Sequence, residues 1–142
     1  MSLSEHFTLE ELTHTDHREL DNTPNEAELA NLKRLAGFLE QVKTLLGGKP
    51  IMVNSAFRSK AVNDAVGSKD TSHHRIGCAA DIRVPGMTPD EVVRAVIASD
   101  LGYDQVIREF DRWTHISIPN EEARAPRKQA LIIDKQGTRI FA

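Results

Sequence analysis

Ser72-His-His-Arg-Ile-Gly-Cys-Ala-Ala-Asp81 begins in turn-forming text and ends in a strand. The segment leading into it, Arg58 to Gly77, is punctuated by Asn63, Gly67, Ser68 and Asp70, and reads as a long turn region of the kind that carries chemistry. Ala79 to Val84 then reads as a strand. Side chains alternate faces along an extended segment, so Ala79 and Asp81 share one side while Cys78 and Ala80 share the other.

Upstream the text is helical. Thr8-Leu-Glu-Glu11, Thr23-Pro-Asn-Glu26 and Thr88-Pro-Asp-Glu91 each carry the reciprocal capping pattern of a helix start, the last two with Pro at the first helical position. After Pro24, Leu29, Leu32, Leu35, Leu39, Val42 and Leu46 fall on one helical face, which Gly47-Gly48 ends. A helix is expected from Thr88 to about Ser99. Strands are expected at Ile51–Ser55, Gln105–Glu109 and Trp113–Ile118, and a hairpin joins Ala130–Ile133 to Thr138–Phe141 through Asp134-Lys-Gln-Gly137. Helices early and strands late predict an α+β fold, with helices packed on a mainly antiparallel sheet.

The chain has 142 residues, 39% hydrophobic and 27% charged, a length and balance expected of one globular domain spanning residues 1–142. A single cysteine cannot pair within the chain, and a domain of this size buries roughly 68–70% of its unfolded surface without such staples. Net charge is -3 and no dense basic run occurs, so a nucleic-acid partner is not expected. Met1-Ser-Leu-Ser-Glu-His-Phe7 lacks the pattern of a secretory signal, and no apolar stretch is long enough to cross a bilayer. The expectation is a monomer made in the cytoplasm without stable membrane association.

Thirty-four residues after Asp81 stands Trp113-Thr-His115. Catalytic zinc sites use three protein ligands and leave a fourth position to water. His74, Asp81 and His115 supply that number, and small Ala79 beside the carboxylate leaves room for an ion. Spacing alone does not separate this set from ordinary surface or core groups; the surrounding text does.

The run S-x-H-x-x-G-x-A-x-D with a later W-x-H resembles the zinc D-Ala-D-Ala carboxypeptidases of peptidase family M15, especially their compact phage and prophage members. Phe7-Thr-Leu-Glu-Glu-Leu12, Asp21-Asn-Thr-Pro24, Asn54-Ser-Ala-Phe-Arg-Ser59 and Asn63-Asp-Ala-Val-Gly67 resemble the family's segments in the same order. The resemblance covers about residues 5 to 118 and leaves 119–142 as a C-terminal hairpin. Hedgehog signalling domains share the fold and metal motif, so fold and metal are better supported than catalysis.

The resemblance implies one zinc ion on His74, Asp81 and His115, with Gly77 and Ala79 as small packing residues and Ser72 setting the loop. It implies Arg58 as a substrate-binding or oxyanion-steadying group, whose five donors suit a carboxylate or oxyanion. Ser72 and Trp113 join it as candidate substrate contacts. Many family members place the proton-transferring acid three residues before the last His, where this sequence has Arg112; Glu109 matches the phage and hedgehog offset instead, with Asp111 as the alternative. Glu109 is expected opposite His115 across a hairpin turned by Phe110-Asp-Arg-Trp113. His73 is passed over because the offset from Gly77 selects His74. His6, His14 and His17 are expected in solvent, and Cys78 in the core.

Zinc suits this donor set, although iron, cobalt and nickel also accept it. The implied activity is hydrolysis of peptide bonds in bacterial peptidoglycan, as a D,D-carboxypeptidase or an endopeptidase. An endolysin released from the cytoplasm, or a virion component, would reach that substrate. The alternative is a catalytically silent zinc domain that binds wall peptide or serves as a phage structural part.

Overall fold

The computed structural model describes residues 1–69, 71–120 and 124–141. Asp70, expected as a turn residue, and part of the 119–142 stretch lie outside the described residues. Helices α1 (Leu9–Leu12), α2 (Glu26–Leu45), α3 (Lys60–Ala65) and α4 (Pro89–Ile97) accompany six strands. These are β1 (Met52–Ser55), β2 (Ala79–Arg83), β3 (Gln105–Glu109), β4 (Trp113–Ser117), β5 (Gln129–Asp134) and β6 (Gly137–Ile140). They form one sheet in the order β1-β2-β4-β3-β5-β6, antiparallel throughout except between β3 and β5. The fold is α+β, as the text predicts.

Local chemistry accounts for the helix starts. Thr8 with Glu11, and Thr88 with Glu91, form reciprocal capping boxes, and Pro89 opens α4. At Thr23 the expectation fails. Asn25 caps α2 instead, with Glu28 reaching back to it, while the Thr23 hydroxyl donates to Asp21 at 2.6 Å. Glu28 also pairs with Arg75 at 2.6 Å, a tertiary contact that favours the later start. The segment read as turn from Arg58 to Gly77 holds α3, capped by Ser59, and a 3-10 turn at His73–Ile76.

Alternation divides the sheet into two faces. Cys78, Ala80, Ile82, Val106 and Ile116 are fully buried in the core beneath Leu32, Leu35 and Leu39 of α2 and Val92, Val93 and Val96 of α4. At roughly 1.5–3 kcal/mol for each large apolar side chain, this layer supplies the main drive to fold. The opposite face carries Asp81 opposite His115, and His115 opposite Ile107. A bulge in β1 between Val53 and Ser55 sets Ser55 beside Asp81 and turns the chain toward the 3-10 turn.

The candidate metal centre

Two strands and one tight turn bring the three expected ligands together. Asp81 and His115 face each other across β2 and β4, and His74 comes from the 3-10 turn that precedes β2. Asp81 Oδ1 lies 3.2 Å from His74 Nε2 and 3.0 Å from His115 Nδ1. One donor atom from each residue falls within 4.8 Å of the others. All three residues are buried, the imidazoles edge to face with centroids 5.0 Å apart.

The donor chemistry fits a cation. His74 Nδ1 is 2.7 Å from the Ala56 carbonyl, which can only accept, so Nδ1 carries a proton and Nε2 is the ring atom turned toward Asp81. At 3.2 Å, Nε2 and the Asp81 oxygen call for a proton or a metal ion between them. Burial disfavours the Asp81 charge, but the two facing imidazoles outweigh it and hold the carboxyl below the usual range. An ionised carboxylate and two imidazoles make a zinc-competent set.

The supporting turn is tightly held. Ser72 Oγ accepts from the His74 amide at 3.2 Å, and Asn31 of α2 donates to the Ile76 carbonyl at 2.9 Å. Gly77 closes the turn at φ +83°, where a Cβ would stand 2.9 Å from the Glu28 carbonyl oxygen and 3.1 Å from Leu32 Cγ. Gly77→Ala is therefore expected to destabilise the fold by about 2–4 kcal/mol, from the left-handed backbone and the clash together. Denaturant midpoints would show it; an unchanged midpoint would mean that the turn yields freely.

Glu109 stands at the edge of the cluster, though not where expected. It pairs with Trp113, and Ile107 is the residue opposite His115. The turn between β3 and β4 is two residues tighter than the expected register requires, with Phe110 and Asp111 at φ +54° and +53°. Glu109 nonetheless shares the metal face: Oε1 is 4.0 Å from His115 Nδ1, and Oε2 accepts from Trp113 Nε1 at 3.0 Å. Burial, then repulsion by Asp81, raises its carboxyl above the ordinary value despite opposing pulls from His115, Trp113 and Arg58. Asp111 is 75% exposed and paired with Arg108, and Arg112 is also exposed.

Arg58 reaches the cluster from the other side, with Nη2 3.5 Å from Asp81 Oδ2 and Nε 3.3 Å from Ser55 Oγ. Its backbone is pinned by its own amide to the His74 carbonyl at 2.9 Å, and by Asn22, which accepts from the Ser59 amide and donates to the Phe57 carbonyl. Neither Asn22 nor the Ala56 carbonyl was expected in this role. His73 points away, 3.4 Å from Asp104, and Cys78 is buried with its thiol pushed up to about 11 by burial. His6 and His14 are exposed and His17 is half-buried, each beside a carboxylate.

Among curated proteins no match is found. The family model described as Peptidase M15 matches residues 5–117, a span that starts before α1, ends with β4 and takes in His74, Asp81, Glu109 and His115. Membership implies zinc metallopeptidase chemistry, and the cluster is where this chain can hold the ion. On that match and that geometry, the chain belongs to peptidase family M15.

Proposed function

We propose that this protein is a zinc metallopeptidase that hydrolyses peptide bonds of bacterial peptidoglycan, as a D,D-carboxypeptidase or an endopeptidase of the endolysin kind. One observation carries the catalytic half of the proposal. A half-buried glutamate, held by an indole N–H, presents its free oxygen to the edge of a His-Asp-His cluster. A carboxylate oriented at the edge of such a cluster is suited to proton transfer, a task that binding alone does not require.

His74, Asp81 and His115 would hold the zinc ion, which when bound would supply Lewis acidity toward water and the scissile carbonyl. Glu109 Oε1 takes the proton from the attacking water and returns it to the leaving amine, while Trp113 keeps the carboxylate oriented through Oε2. Arg58, one-seventh exposed by its side chain and facing the same cluster, holds the substrate carboxylate or the developing oxyanion. Ser72 acts through His74, whose amide it caps. The protein would be made in the cytoplasm and reach the wall on release or as part of a virion.

Purified peptidoglycan incubated with the zinc-loaded protein is expected to release D-Ala or crosslinked fragments, and a chelator is expected to stop the release. A protein that holds one zinc ion yet leaves every wall substrate intact would replace this proposal with the silent wall-binding or structural domain.

A further inference from the structure

The 3-10 turn that carries His74 has four residues, and a helix so short has little hold on its own shape. Each residue is held from outside. The His74 ring meets the Ala56 carbonyl, Arg75 meets Glu28, and the Ile76 carbonyl accepts from Asn31. His73, passed over as a ligand, supplies the fourth tie, with its Nε2 3.4 Å from Asp104 Oδ2. The first three ties lead to α2 and to the end of β1. The fourth leads across the sheet, because Asp104 directly precedes β3 and its amide donates to the Ser117 carbonyl at 2.7 Å. Ser117 ends β4, the strand that carries His115.

Asp104 is buried, and Arg127 fixes it. Arg127 donates to its carboxylate from the backbone amide at 3.1 Å, from Nε at 3.0 Å and from Nη2 at 2.6 Å. The chain around Arg127 is anchored in turn, since Lys128 donates to the Tyr103 carbonyl and Gln129 to the Asp104 carbonyl. Burial alone would raise the Asp104 carboxyl, but Arg127 outweighs it and keeps the group below the ordinary range, as an ionised acceptor. Arg127 lies past residue 117, where the family match ends. Nothing in the spaced metal motif points to it.

We infer that Arg127 is a positioning residue for the metal centre: by fixing Asp104 against His73, it sets how far the turn carrying His74 stands from the strand carrying His115. The inference rests on the metal-holding role of His74, Asp81 and His115 and is independent of the substrate proposed above. An ion shared by three residues needs its donors at a fixed span, and loss of outer partners that orient ligands weakens metal binding by about 10–100-fold. A pair that braces only the scaffold has no such effect. Asp134 and Arg139 form one on the β5–β6 hairpin, doubly bonded as well, with no bond to the turn among the described residues.

Cobalt(II) is the probe, because its visible absorption reports coordination geometry without any turnover. The full-length protein is expected to bind one cobalt ion. Arg127→Gln is expected to bind it about tenfold more weakly and with shifted visible bands, while Arg139→Gln keeps the wild-type affinity and spectrum. His73→Ala removes the same tie but leaves the Asp104–Arg127 pair in place, so it is expected to show the same loss and shift even if Arg127→Gln fails to fold. The double variant should be no worse than either single one, because both break one connection. A lower denaturation midpoint in Arg127→Gln with cobalt affinity and bands unchanged would reduce the residue to a structural ion pair and overturn the inference, as would an equal loss in Arg139→Gln. A wild-type protein that takes up no cobalt would sink the metal centre and this inference together. Cobalt binding that responds as expected, in a protein that hydrolyses nothing, would sink the proposed catalysis alone.

Discussion

Glu109→Gln is expected to lower kcat on wall peptide by about 10²–10⁴-fold at unchanged zinc content. The size follows from what the residue does. Its Oε1 is the free carboxylate oxygen nearest the cluster, and Gln keeps the shape and the Oε2-side contact with Trp113 while losing the ability to take a proton. Asp111 cannot stand in, since it is exposed and engaged with Arg108 away from the metal face. Metal content is expected to hold because Glu109 is outside the set of three converging donors.

The pH profile tests the same assignment independently. Burial and the neighbouring Asp81 raise the Glu109 carboxyl, so the charged form that acts as base is lost at a higher pH than for an ordinary glutamate. Bound zinc opposes that shift with its own charge, so the position of the limb reports the balance; activity should fall on the acid side as Glu109 is protonated, and that limb should vanish from the residual activity of the Gln variant. Full activity in Glu109→Gln at matched zinc would place proton transfer elsewhere.

How much of this was legible beforehand depended on how local each determinant is. The capping box at Thr88 could be read because both partners sit within one turn, and Pro89 has one favourable place there. Thr23 misled because Asn25 offers the same chemistry two residues later, and the Glu28–Arg75 pair that decides between them spans 47 residues. Helix α3 was hidden by Asn63 and Asp64, residues that favour turns when nothing tertiary fixes them. The parallel pairing of β3 with β5 has no local signature at all. At the site, the ligands stood out as letters in a spaced motif. The Ala56 carbonyl that sets the His74 tautomer did not, because a backbone group leaves no mark on residue identity. Glu109 was found by offset, yet its register was off, since the positive φ angles of Phe110 and Asp111 are not written in either residue type.

Zinc at about a thousand times its dissociation constant is expected to raise the unfolding free energy by about 4 kcal/mol, and Asp81→Asn is expected to lose most of that gain. The ion binds the folded chain because His74, Asp81 and His115, distant in sequence, meet only there. In the metal-free protein Asp81 is already held ionised by its two imidazoles, so its own contribution is present at neutral pH and is lost only as the pH falls through its depressed folded value. Zinc adds a second dependence of the same sign, because its ligands must be unprotonated to bind. The zinc-induced shift in thermal midpoint should therefore shrink as pH is lowered, and in Asp81→Asn it should be small at every pH. Asn keeps the volume of the side chain, so a fold left intact with its zinc response gone would isolate the ligand from the scaffold. An equal zinc shift in both proteins would move the ion away from this cluster, toward exposed pairs such as His6 with Glu40 or His14 with Asp16. Both the peptidase proposal and the role given to Glu109 would then lose their metal.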